Sequence, residues 1–259
     1  MRRRRGRLGV GLVLLVACES TFLPIRGKFE VGRDPMVVFV GGDGPAGGDL
    51  YALSPTGGRP IPITFSTVGE MRPALSPAGG EIAFLRAGSL TDSSPASVWV
   101  MNLINGAERE VELPADAGPP EQVGWAGGGR ALVMRAGGRL YRADAPPAEG
   151  AARPVPGAER AAAESALAVL LGRPAFARAV PCANAEDLCV VGDTGSPALF
   201  ARGAREPARW GEDSVAYLEG DRLMVRPLAA GRARQVEWSA LPARPRQPSV
   251  FAGATTEPR

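Results

Sequence analysis

Short apolar runs bounded by Gly, Pro, Asp and Asn recur along most of the chain, and they either alternate with period two or are apolar throughout. That is a strand pattern, not a helix pattern. One run recurs in register: Leu50–Leu53, Val98–Met101, Leu140–Ala143, Leu188–Val191 and Leu223–Arg226. Their second positions are 51, 99, 141, 189 and 224, so the steps are 48, 42, 48 and 35 residues. Steps of this size match the blade period of a four-stranded propeller. A second strand is expected before each copy, at Met36–Val40, Glu81–Leu85, Ala131–Arg135, Ala166–Leu171 and Val215–Leu218. A last strand is expected after four of them, at Arg59–Thr64, Arg109–Leu113, Pro197–Ala201 and Arg234–Trp238. Turns such as Thr56-Gly57-Gly58, Asn105-Gly106 and Asp193-Thr194-Gly195 separate the last two strands.

The pattern predicts an all-β fold: a β-propeller of about five four-stranded blades, with room for an irregular or incomplete one. The propeller is placed at 36–240. Two places stay open. Glu159–Leu171 contains good helix formers and reads either as a surface helix or as part of a divergent blade. The Pro-rich tail 241–259 reads either as disordered or, through Ser249-Val250-Phe251, as the missing innermost strand of the first blade.

The most specific repeat is Pro73-Ala74-Leu75-Ser76-Pro77-Ala78-Gly79-Gly80-Glu81-Ile82-Ala83-Phe84, followed by Val98-Trp99-Val100-Met101-Asn102. It resembles the TolB-type, or WD40-like, β-propeller repeat. Ala78 stands where that repeat usually has Asp, and Leu75 stands in its Trp slot. The resemblance implies the fold and points to no particular partner.

The start of the chain follows another logic. Five arginines precede an apolar run, Leu8–Ala17, which is too short for a bilayer span of roughly 20 residues. The run ends Leu15-Val16-Ala17-Cys18, which resembles the lipobox of bacterial lipoproteins. That resemblance implies a signal peptide at 1–17 and a lipid on Cys18. Acyl chains contribute about 0.8 kcal/mol per buried CH₂, so two or more chains anchor stably. Residues 18–35 are expected to be a tether. The same resemblance implies the outer membrane, facing the periplasm, because Glu19 stands after the cysteine where an inner-membrane lipoprotein has Asp.

Composition narrows the chemistry. The chain has 259 residues and no His, and its one Lys is Lys28. Ser-His-Asp triads, Cys-His pairs and HExxH zinc sites therefore have no material. Without the arginines of 1–17 the balance is 25 basic to 27 acidic residues, and no basic stripe with interleaved aromatics suggests nucleic acid. Apart from Cys18 the thiols are Cys182 and Cys189, expected to be bonded in an oxidising compartment. No metal site or cofactor is expected: Asp43 and Asp49 are thin ligation for Ca²⁺. Asp193-Thr194-Gly195 looks like half of an aspartic-protease site, but no second copy exists, and the matching turn at Pro55-Thr56-Gly57-Gly58 favours structure. Arg202, Arg205, Arg209 and Glu206 read as a solvated rim.

The expected function is a non-enzymatic binding scaffold in the bacterial cell envelope, with a protein, peptide or other envelope component as partner. The alternative is a glycosidase-like propeller hydrolase with carboxylates at the central mouth. Glu70, Asp116, Glu121, Glu186 and Asp213 fall near blade connections, without a defined pair.

Overall fold

The computed structural model describes residues 25–253 except 26, 43–47, 67, 88–95, 145–150, 169, 172–176, 185, 192–194, 211–212, 229–230 and 240–244. Cys18, Asp43 and Asp193 lie outside the described residues.

Five four-stranded antiparallel sheets form, as the repeat predicts. Blade one contains β1 (Met36–Gly41), β2 (Asp49–Leu53) and β3 (Ile61–Pro62). Blade two is β4 (Glu70–Leu75), β5 (Glu81–Arg86), β6 (Ser97–Asn102) and β7 (Glu108–Val111). Blade three is β8 (Pro120–Ala126), β9 (Ala131–Ala136), β10 (Arg139–Asp144) and β11 (Arg153–Pro154). The helix α1 (Arg160–Leu167) follows. Blade four is β12 (Leu170–Leu171), β13 (Ala177–Pro181), β14 (Leu188–Val191) and β15 (Pro197–Ala201). Blade five is β16 (Ala204–Trp210), β17 (Ser214–Glu219), β18 (Arg222–Pro227) and β19 (Arg234–Gln235). The tail then supplies β20 (Arg246–Phe251), which pairs antiparallel with β1 and completes blade one.

The second strand of a blade explains the apolar runs. It has a strand on each side and a neighbouring blade over each face, so both side-chain rows are buried. All six residues of β1 are buried, as are Ile82–Leu85 and Val215–Leu218. The two-residue period of a strand then sorts the rows between neighbours. Met36, Val38 and Val40 share a cluster with Ile82 and Phe84 of blade two. Val37 and Phe39 face the other way, onto Ala216 and Leu218 of blade five. Ala83 and Leu85 meet Leu132 and Met134 of blade three. Val215 and Tyr217 pack with Leu188 and Ala201 of blade four.

Between blades three and four the pattern changes. Val133 and Leu140 pack on Ala163 and Leu167 of α1. Ala166 and Leu167, expected to begin the second strand of blade four, belong to this helix; the second strand is β13 instead. Ala-rich residues such as Arg160-Ala161-Ala162-Ala163 propagate a helix at little cost, and a short apolar run does not distinguish helix from strand. Both described ends of the chain pack onto the ring. Ile25, in the stretch expected as tether, is wholly buried against blades one and two, with Phe29 and Val31 packed on the same cluster. Residues 246–251 are a strand with Phe251 buried, the closing alternative for the tail.

Cys182 follows β13 and is joined to Cys189 on β14, with their Cα atoms 5.1 Å apart. The bond spans the hairpin between these strands. Closing so short a loop contributes about 2–3 kcal/mol. Maleimide is therefore expected to leave both thiols of the denatured, natively exported chain unlabelled until reductant is added, and then to tag both. Two tags on these residues without reductant would contradict the bond.

Candidate functional site

The inner strands β4, β8, β16 and β20 line the ring axis, and three of them share an irregularity. Their ladders skip Arg72-Pro73 opposite Phe84, Glu206-Pro207 opposite Tyr217, and Gln247-Pro248 opposite Phe39. Each is a bulge with two residues facing one buried aromatic. Arg72, Glu206 and Gln247 have φ of 54°, 52° and 53°. Non-glycine residues reach this region uncommonly and at a cost of about 1–3 kcal/mol each. Bonds between blades offset that cost. The Gln247 backbone N–H donates to Glu206 Oε2 (2.5 Å) and the Arg72 N–H donates to Gln247 Oε1 (2.6 Å). Residues at one equivalent bulge position thus link blade five to one and one to two. The Leu75 N–H also donates to Ser249 Oγ (2.9 Å).

These strands wall an axial cavity of about 350 Å³. Pro73, Leu75, Trp125, Pro207, Pro248 and Val250 give it an apolar surface. Exposed Pro77, Ser165 and Arg209 form its rim. The fifth wall is not a long strand, because β12 has two residues; Ser165, Ala166 and Ala168, at the end of α1, take that place. The helix is seated by Gln122 Nε2, which donates to the Leu167 carbonyl (2.8 Å), and by the Arg135–Glu164 ion pair (2.6 Å). Trp125 Nε1 donates to the Ala74 carbonyl (2.8 Å), joining blades three and two at the same level.

Gly124 makes that seat possible. A Cβ there would stand 2.8 Å from the Ala166 carbonyl oxygen and 3.2 Å from Leu167 Cδ2. Valine suits a strand intrinsically, so on an unobstructed strand Gly124→Val would be neutral or better. Here it is expected to destabilise by about 1–3 kcal/mol through overpacking and to lower Tm by several degrees. An unchanged Tm in a thermal melt would contradict the placement of α1.

The carboxylates singled out in the sequence do not converge by any hydrogen bond among the described residues, and three of them have a local partner. Asp116 pairs with Arg139, Glu121 accepts from the Gly138 N–H, and Asp213 accepts from the Ser214 hydroxyl. Glu186 is exposed, and its N–H donates to Asn184 Oδ1. Asp49 accepts from the Ser66 N–H (3.2 Å). No group of three or more acidic or cysteine side chains suited to a metal exists among the described residues. In the charge cluster, Arg205 is an exposed rim residue paired with Asp221, whereas Glu206 holds the inner belt and Arg209 lines the cavity. The sequence signal for that belt is the X-Pro pair repeated at 72, 206 and 247.

Glu70 is wholly buried between blades one and two. It accepts from Thr64 Oγ1 (3.0 Å), Ser66 Oγ (2.7 Å) and Arg86 Nε (3.3 Å). Arg86 also holds Glu108 through both terminal nitrogens (2.8 and 3.2 Å) and lies over Trp99 and Phe84. Burial holds the Glu70 carboxyl above its ordinary range, outweighing the three donors. Burial raises Asp49 as well. This network is structural glue, away from the axial cavity.

No protein-family description and no curated protein matches the sequence. Solved structures do resemble it. TolB from Acinetobacter baumannii is 14% identical with a TM-score of 0.41, over 83% of this chain and 66% of that one. A TolB structure from Agrobacterium tumefaciens is 10% identical with a TM-score of 0.39, over 80% and 71%. Streptogramin B lyase is 14% identical with a TM-score of 0.32, over 78% and 66%. The chain thus spans about two thirds of the length of these structures.

Proposed function

We propose that the chain is an exported, lipid-anchored propeller that serves as a non-enzymatic binding ring in the bacterial cell envelope, held through Cys18 and facing the periplasm. The observation that carries this reading is the axial cavity. Four blades and a helix converge on one apolar concavity, and interblade hydrogen bonds fix its walls before any partner arrives. A preformed concave surface loses little entropy on binding. Its rim presents the partner with Pro77, Ser165 and Arg209. The partner in this reading is an envelope protein, a peptide or another envelope component.

Two measurements test it. Cys18→Ser should move the protein out of the membrane fraction or stall it as precursor; an unmodified Cys18 peptide from the native protein would overturn the anchor. Crosslinking in the native envelope, followed by mass spectrometry, should return a discrete partner. Turnover of a substrate by the purified chain would overturn the non-enzymatic part.

A further inference from the structure

The two ends of the ring differ in charge. Antiparallel order places the turn from first to second strand and the turn from third to fourth strand at one end of a blade. In blade two the Leu103 N–H, after β6, donates to the Gly80 carbonyl, before β5 (2.9 Å), so the two turns touch. The axial cavity takes the C-terminal halves of β4, β8, β16 and β20 at one level, so the inner strands run the same way and these turns share one end of the ring. Pro77 lies in one of them, which puts the axial rim at this turn end.

Lys28, Arg59, Arg232 and Arg234 are exposed there, and none of the four pairs with a carboxylate among the described residues. Arg234 lies over the ring of Trp210, at the end of β16 (5.4 Å). Of the described acids at this end, Glu30 holds Arg33, Asp34 accepts from the Glu30 N–H and Asp213 from the Ser214 hydroxyl, which leaves Glu237. At the opposite end Arg139, Arg205 and Arg222 are already paired with Asp116, Asp221 and Glu219.

The chain also enters the ring at the turn end. Ile25 is wholly buried with Leu103 and Phe251, and Gly32 lies against the Ala78 carbonyl, where an added Cβ would stand 3.2 Å away. Ile25 is seven residues from Cys18, a span of at most about 25 Å. A strand of six residues is about 20 Å deep at roughly 3.4 Å per residue. A lipid on Cys18 therefore holds the turn end at the bilayer within easy reach, whereas holding the opposite end there would use nearly the whole span on the depth of the ring alone. Ile104, 55% exposed in the turn after β6, stands on the same end.

We propose that the turn end is a docking surface for a bilayer with anionic phospholipid headgroups. This rests on the lipid anchor at Cys18 and adds an orientation to it. Lys28, Arg59, Arg232 and Arg234 meet the headgroup phosphates, and Ile104 lies at the interface. A guanidinium suits a phosphate because it donates two parallel N–H bonds. A partner at the axial rim is then met at the membrane surface.

The test uses the native lipidated chain in phosphatidylcholine vesicles, with or without phosphatidylglycerol, that carry a headgroup nitroxide quencher. A fluorophore is attached at Asn105→Cys, on the turn end, or at Phe65→Cys, in the connection from β3 to β4 at the opposite end. Flotation establishes that the protein is attached, and thermal melts that each variant is folded. With phosphatidylglycerol present, quenching at Asn105→Cys should exceed that at Phe65→Cys by roughly threefold or more. The excess should disappear in about 1 M salt, where charges are screened beyond about 3 Å. It should also disappear when Lys28, Arg59, Arg232 and Arg234 are together replaced by Gln. Equal quenching at the two positions in attached protein, or a turn-end excess unchanged by the four substitutions, would overturn the docking surface while the anchor stands. Protein that does not float with the vesicles would overturn the anchor, and this orientation with it.

Discussion

Removing residues 246–259 is expected to abolish the folded ring. These residues contain β20, the innermost strand of the first blade, so the cut leaves β1 with an open edge along a strand whose six residues are all buried. Phe251 leaves the cluster it shares with Met36, Val38 and Phe84, and Val250 leaves the cluster at blade five. Truncating one buried Phe to Ala costs about 3–5 kcal/mol. Added to the lost ladder, this exceeds the lower part of the roughly 5–15 kcal/mol that holds a domain together. The Arg72 and Leu75 N–H groups also lose their acceptors, Gln247 and Ser249. The truncated chain should show no cooperative thermal transition. A synthetic 246–259 peptide should restore one by strand addition. A transition within a few degrees of the full chain would show that the ring does not need this closure.

Glu70→Ala is expected to have the next largest effect, a loss of about 3 kcal/mol. The substitution leaves the Thr64 and Ser66 hydroxyls and one edge of Arg86 without their acceptor in a buried interface. Glu70→Gln keeps an acceptor oxygen and should cost clearly less. The pH dependence separates charge from packing. Glu70 in the folded chain titrates above its ordinary value of 4.5 because it is buried. Between that value and the raised one, the folded chain holds a proton that the unfolded chain has lost. Protonation therefore favours folding fully below the ordinary value, and this contribution disappears as pH rises through the raised one. The wild type should lose stability with rising pH over that window, and Glu70→Gln should show a shallower slope. Equal slopes in the two proteins would contradict the buried carboxyl.

Much of the ring was legible because one physical rule governs it. A strand covered on both faces must be apolar throughout, so Met36–Val40, Glu81–Leu85, Ala131–Arg135 and Val215–Leu218 stood out, and each coincides with a second strand. The exceptions have particular causes. Arg153-Pro154 is exposed at both positions and is held as β11 only by pairing with Tyr141 and Arg142, so no apolar signal marks it. Blade four was obscured by α1, whose alanines read equally as strand or helix.

The prolines of the tail leave its sequence open between disorder and the closing strand that it forms. An inner strand bonds to a neighbour on one side only and faces the axis on the other, so a missing N–H there breaks no ladder. The same reason admits Pro73, Pro207 and Pro248 at three equivalent bulges. The axial cavity was not legible as such. Its walls come from residues 73 to 250, and its fifth side is a helix end that no repeat anticipates.

The proposed ring binds its partner at the axial rim. Photo-crosslinking from single positions in the native envelope tests it most directly. A photoreactive residue at Ser165 or Arg209 stands at the rim, whereas one at Leu199, 53% exposed on β15, stands at the outer edge of blade four. Binding at the rim should give the same discrete adduct from both rim positions and none from Leu199. An adduct formed equally from Leu199, or formed there and not at the rim, would contradict it.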